Sequence, residues 1–185
     1  VLRSANDPLD PVPRIELLYA YHQMGDTERE TTEVESMIRQ FADDERTLQL
    51  LANYAAETGN VDLASRLYGV SLERNFDISS FALLVIESMI VSGDHARAID
   101  FCEELAAENP VWLESRMHIF NSLRSVACLA AGNIDLGRLY LTEFLGSDRL
   151  RVETLLAVSR RLKEIDHLDA ARQVLRSAIE SNPQN

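Results

Sequence analysis

The side chains able to do acid–base, nucleophilic or metal chemistry are few and scattered along the 185 residues. The four histidines are His22, His95, His118 and His167, and none shares a metal-type spacing such as His-Glu-x-x-His with another. Asp94-His95 and Asp166-His167 repeat one dipeptide, but they stand too far apart for shared ligation and read as solvent-exposed turn residues. Two cysteines, Cys102 and Cys128, form neither a disulfide framework nor a paired-cysteine metal motif. Two buried thiols are expected there, with a disulfide as the alternative. Lys163 is the one lysine beside seventeen arginines, so Schiff-base chemistry has a single candidate, and its helix-end setting reads as a solvated charge. Asp43-Asp44-Glu45 has the composition of a helix N-terminus, and Glu33 and Glu35, on either side of Val34, read as solvated. No phosphate loop, dinucleotide fingerprint or nucleophile elbow is present. The expectation is a protein that is not an enzyme, with no catalytic residue, no metal site and no cofactor.

The elements carrying these residues are paced by glycine. Gly25, Gly59, Gly93 and Gly132 are each followed by Asp or Asn, and Asp166 takes the next place in the series. The residue after each glycine can cap a new helix, and the glycine can end the previous one in the left-handed region. In the fifth turn Asp166 replaces glycine, which predicts strain or a reshaped turn. Seven glycines and five prolines are too few for the frequent turns of an all-β chain. An all-α chain of helix–turn–helix units is therefore expected.

Charge narrows the partners. The net charge of −12 opposes the phosphate neutralisation on which nucleic-acid binding depends. It is unevenly spread: residues 1–62 hold 13 acidic and 5 basic side chains, whereas residues 149–176 hold 7 basic and 4 acidic. Ends of opposite sign would favour head-to-tail contact, so a homo-oligomer through the ends is one option. No run approaches the roughly 20 apolar residues that span a bilayer. The longest candidate, 81–91, is interrupted by Glu87 and Ser88, so no direct membrane insertion is expected. Compartment stays open between cytoplasm and periplasm.

Laid in register on the turn glycines, the chain divides into 11–44, 45–78, 79–112, 118–151 and 152–185. One small position falls on Ala64, Ala98, Gly137 and Ala171, and a closing proline falls on Pro110 and Pro183. In this period and pattern the chain resembles the tetratricopeptide repeat family, in a divergent form. The resemblance implies a right-handed α–α solenoid of about five repeats. Its small residues pair where the two helices of a repeat cross, at Ala52/Ala64, Ser125/Gly137 and Ser159/Ala171. Ile86/Ala98 fits half of that rule and Leu18/Glu30 breaks it. Arg14, Ala82 and Asn121 depart from the large residue the family places early in the first helix. The longer interval before Gly132 predicts an extended first helix over about 112–131, opening at Trp112, as either a packing clamp or a binding feature. Residues 1–10 read as the tail of a preceding repeat or a linker, and the whole as an excerpt from a longer array or a chain that caps itself by association.

In this family the first helices line the concave face. The resemblance places Tyr19, Asn53, Leu83, Glu87, Ile90, Val126, Leu129, Arg160 and Lys163 there, and these are the expected partner-binding residues. Leu83, Ile90, Val126 and Leu129 would floor an apolar groove for a helix or peptide, unless tighter winding makes them core or self-association covers them. The carboxylate clamp of chaperone-binding relatives is missing, because Gln49 stands where a lysine is wanted beside Asn53. The implied function is a non-catalytic protein-interaction scaffold binding a protein or peptide. The alternative is a structural, self-assembling segment of a longer array, for example the periplasmic arm of an export or polysaccharide-secretion machine.

Overall fold

A computed structural model describes residues 10–108 and 110–180, all helical or turn, with no strand among them. The described residues form ten helices: α1 (Val12–Met24), α2 (Thr27–Gln40), α3 (Glu45–Thr58), α4 (Val61–Arg74), α5 (Ile78–Val91), α6 (His95–Glu108), α7 (Val111–Ala130), α8 (Ile134–Leu145), α9 (Val152–Glu164) and α10 (Leu168–Glu180). Residues 1–9 of the expected preceding tail, and Pro183, lie outside the described residues.

The turns follow from backbone chemistry. Gly25, Gly59 and Gly132 sit at φ 69°, 68° and 82°, each closing its helix with a pair of backbone bonds. The residue after the glycine donates five positions back, as from Asn60 to the Ala55 carbonyl at 2.8 Å, and the glycine itself donates three back. This is the Schellman closure, which satisfies the orphan carbonyls of a helix end. Asp166 makes the same pair of bonds, to Lys163 and through His167 to Leu162, at φ 62°. The turn is kept, and a side chain occupies the left-handed position that glycine fills at Gly25, Gly59 and Gly132. Asp26, Asn60 and Asp44 then cap α2, α4 and α3 through side-chain oxygens, with Asp44 also accepting the Thr47 hydroxyl at 2.6 Å.

Two compact units divide at Ser92 and Gly93. In the first, Leu18, Met37, Leu48, Leu51, Leu67 and Phe81 are fully buried on successive helices. Ala52 and Ala64 are both buried on the packed pair α3 and α4. Arg14, foreign to an apolar position, lies 5.8 Å from the Phe41 ring centroid and bonds Glu33, the Ser36 hydroxyl at 2.8 Å and Gln40 at 2.7 Å. Glu33 is thus ion-paired, and Glu35 likewise bonds Arg66, so neither is the free solvated charge expected. Each long arginine crosses from one helix to another and brings the carboxylate its partner.

In the second unit, Leu113, Phe120, Leu123, Phe144, Leu155 and Leu162 are buried. The extended helix is present as α7, 20 residues, with Trp112 half-buried in its first turn. Where α7 crosses α8, the Ser125 hydroxyl donates to the Gly137 carbonyl at 2.9 Å. A methyl group at Gly137 would stand 2.6 Å from Leu129 Cγ, so the absence of a side chain is what permits this approach.

Candidate partner-binding surfaces

The structure sorts the nine expected residues by exposure. In the first unit Tyr19 (α1), Asn53 (α3) and Glu87 (α5) are half-buried, while Leu83 and Ile90 are each only 7% exposed. In the second, Arg160 and Lys163 on α9 are exposed, and Val126 and Leu129 on α7 are 1% and 2% exposed. The aliphatic four are therefore packed side chains, and the expectation of an open apolar floor is corrected. Leu129 shows why: its side chain fills the place a Cβ on Gly137 would take, and its carbonyl accepts the His167 Nε2–H at 3.0 Å. Of the nine, those left accessible are Tyr19, Asn53, Glu87, Arg160 and Lys163, all with a polar group.

Around Tyr19 the polar face is a connected network. The Tyr19 ring stands edge-on to Tyr54, with centroids 4.9 Å apart and planes at 79°, and its hydroxyl donates to Glu57. Tyr54 is fully buried and donates to Glu30, whose carboxylate also lies 3.5 Å from His22 Nδ1. The mismatched Leu18/Glu30 pair is thereby explained, since Glu30 serves as acceptor to a buried phenol on α3. Burial first, and then the bonded carboxylate, raises both phenols well above their ordinary value. They are fixed donors rather than nucleophiles.

This has a pH consequence. A phenol whose folded value is raised stabilises the fold fully below the unfolded value of about 10, and that stability is lost as pH climbs beyond it. The urea midpoint should hold from pH 7 to about 9.5 and fall steeply above 10, with Tyr54→Phe showing a shallower fall from a lower start. A midpoint equally flat in both proteins through strong alkali would contradict the network.

The histidines and cysteines are also structural. His95 and His167 are half-buried rather than open to solvent, a correction: His167 bonds Leu129, and His95 Nδ1 is buried without a hydrogen-bond partner. Cys102 and Cys128 are buried free thiols, and burial pushes Cys102 up to about 12 despite the opposing pull of Arg124. Arg124 lies 3.7 Å over the Tyr140 ring and 5.3 Å over that of Phe120, which accounts for a cation at an apolar position. Among the described residues no group of three His, Cys, Asp or Glu side chains is placed to hold a metal. No described helix is long and apolar enough to cross a membrane.

Two open grooves cut the second unit. One, of about 820 Å³, runs beside α8 and α10, lined by Arg138 and Arg172 but also by Asp166 and Asp169, with Arg172 paired to Asp169 at 3.1 Å. The other, of about 690 Å³, lies between the first half of α7 and the segment that leads into α9. Arg116, Arg149 and Arg151 line it together with His118 and Thr154, against a single carboxylate, Asp148. Burial first, then the guanidiniums of Arg149 and Arg116, holds the His118 imidazole below its usual range, so it is neutral at pH 7. The basic stretch from residue 149 is visible in the sequence but its junction with α7 is not, because Arg116 and Arg149 line one groove only through the fold.

Compared with known proteins, the chain matches no family model and no curated protein.

Proposed function

We propose that the chain is a right-handed solenoid of about five tetratricopeptide-like repeats and a non-catalytic scaffold for protein interaction. Two helices fall within each successive interval of the glycine register, which supports the repeat reading. One observation carries the functional reading. On the odd-numbered helices the aliphatic candidates are packed away, while Tyr19, Asn53, Arg160 and Lys163 keep polar atoms at the surface of rigid elements. Rigid presentation limits the entropy lost on binding, and it suits recognition better than chemistry. The groups that could have served as nucleophiles are otherwise engaged, the thiols by burial and the phenols by carboxylates.

Capture from the native lysate tests this, with wild-type chain compared against Tyr19→Ala/Asn53→Ala and Arg160→Glu/Lys163→Glu. The expected result is a protein retained by wild type and reduced about tenfold or more by at least one folded variant, equivalent to about 1.4 kcal/mol. Equal recovery by all three would remove these surfaces from the interaction.

A further inference from the structure

In both units an even-numbered helix is covered by the odd-numbered helix that follows it: α4 packs on α5 in the first, and α6 packs on α7 in the second. The second junction can be followed residue by residue. Cys102 of α6 lines one small recess with Arg124 and Cys128 of α7. In the register of the turn glycines, Cys102 corresponds to Leu175 on α10, Arg124 to Leu17 on α1, and Cys128 to Tyr21 on α1.

These places are open on α1 and α10. Leu175 is 39% exposed, whereas its counterparts Val34, Cys102 and Leu141 are buried. Leu17 is 40% exposed, whereas Leu51, Val85 and Val158 are buried. Tyr21 is half-buried, whereas Ala55, Met89, Cys128 and Leu162 are buried. Ile179, one turn beyond Leu175, and Met24, two turns beyond Leu17, are also exposed and lengthen each apolar row. A single exposed aliphatic needs no explanation, but a row of them at places buried elsewhere in the same chain marks a contact surface.

From this correspondence we infer that α10 of one copy docks on α1 of a second copy, with Leu175 seated against Leu17 and Tyr21. The contact rebuilds the α6–α7 junction between two molecules, head to tail. Charge favours this over the pairing of like faces. Residues 10–44 hold nine acidic and three basic side chains, whereas 151–180 hold five acidic and six basic. Asp10 and Glu16 are exposed beside the α1 row, and Arg14 is turned back onto α2 through Glu33, Ser36 and Gln40. Arg172 and Arg176 are exposed beside Leu175, the former paired with Asp169. Pairing α1 with α1 would set acid against acid, and pairing α10 with α10 would set arginine against arginine. Unlike faces leave one of each open on every dimer, so association continues past two copies or closes into a ring. The inference rests on the repeat register of the proposed function, but Tyr19, Asn53, Arg160 and Lys163 take no part in the contact.

Sedimentation equilibrium of the 185-residue chain over about a hundredfold range of concentration is the test. Wild type should gain mass as concentration rises. Leu17→Glu and Leu175→Glu, each at an exposed residue, should both stay monomeric with urea midpoints close to wild type. Mixed in equal amounts they should form a dimer and stop there, because each keeps the face that the other lacks. Leu139→Glu, at an exposed leucine on α8 outside both faces, should associate as wild type does. If a glutamate variant fails to fold, Leu17→Ser and Leu175→Ser give the same reading. A wild type monomeric throughout overturns the inference and leaves both faces to another part of the chain or to a different protein. A mixture that stays monomeric overturns it too, as does self-association of Leu17→Glu alone, which would pair α10 with its own copy. Should the chain be monomeric while lysate capture still retains a partner, only the end contact falls and the scaffold stands.

Discussion

Leu129→Arg is expected to abolish the cooperative melt of the chain or to lower its midpoint by more than any surface change. Leu129 is 2% exposed, and its side chain occupies the close crossing of α7 and α8 that Gly137 leaves open. The helix crossing itself has no room for a guanidinium, and the Asp166 and Asp169 carboxylates lie along the groove beside it rather than within the crossing. An uncompensated buried charge costs several kcal/mol, against a total stability of about 5–15 kcal/mol for a typical domain. Displacing α7 would also break the His167 bond to the Leu129 carbonyl, which ties α10 to the same helix. Leu83→Arg, at 7% exposure on α5, should act in the same direction. Far-UV circular dichroism with urea titration reads both. A wild-type melt for either variant would return that leucine to an accessible groove.

The second large effect is a comparison among turn glycines. Gly59, Gly25 and Gly132 share a left-handed backbone, so alanine at any of them incurs a similar strain of about 1–2 kcal/mol. Around Gly25 and Gly132 a methyl group meets open space. At Gly59 it would lie 3.0 Å from the Ser92 amide nitrogen, 3.2 Å from Ser92 Cα and 3.3 Å from a Val91 methyl. Two of those three neighbours are backbone, which yields only by moving the end of α5. Gly59→Ala should therefore cost about 1–3 kcal/mol more than Gly25→Ala or Gly132→Ala, in the range of overpacking. Asp166→Gly should move the other way, gaining up to about 1 kcal/mol, since it relieves a turn where a side chain fills the left-handed position, as Asn75 also does at the end of α4. Urea midpoints of the four variants decide it. Equal costs at Gly59 and Gly132 would mean that the α3–α4 turn does not press on α5.

The parts of the fold that were readable in the residues are those set by local chemistry. Glycine before Asp or Asn announces a left-handed stop and a cap, and both are realised at Gly25-Asp26 and Gly59-Asn60. Small pairs such as Ala52/Ala64 announce a close crossing for the same local reason. What was not readable is what closes over a helix face. Position along α5 and α7 placed Leu83, Ile90, Val126 and Leu129 on a candidate surface, but burial depends on neighbours that periodicity does not describe. The residues that broke the expected pattern were informative only in three dimensions. Glu30 holds the Tyr54 hydroxyl, Arg14 gathers three acceptors beside Phe41, and Arg124 lies over Tyr140. Glu30 and Arg14 looked like degeneracy in one dimension, and all three make cross-helix contacts in the fold. The α7–α9 groove belongs with them, since its arginines come from two stretches of chain that a linear charge count treats separately.

Binding through polar rows above a closed aliphatic core is the claim on which the account depends. Hydroxyl-radical footprinting of the chain, alone and with the partner retained in capture, addresses it directly. Leu83, Ile90, Val126 and Leu129 should be unreactive in both states, while Tyr19 and residues on the exposed side of α9 should lose reactivity on binding. Strong labelling of the four aliphatics in the free chain, with protection in the complex, would contradict the account and restore an apolar groove as the binding site.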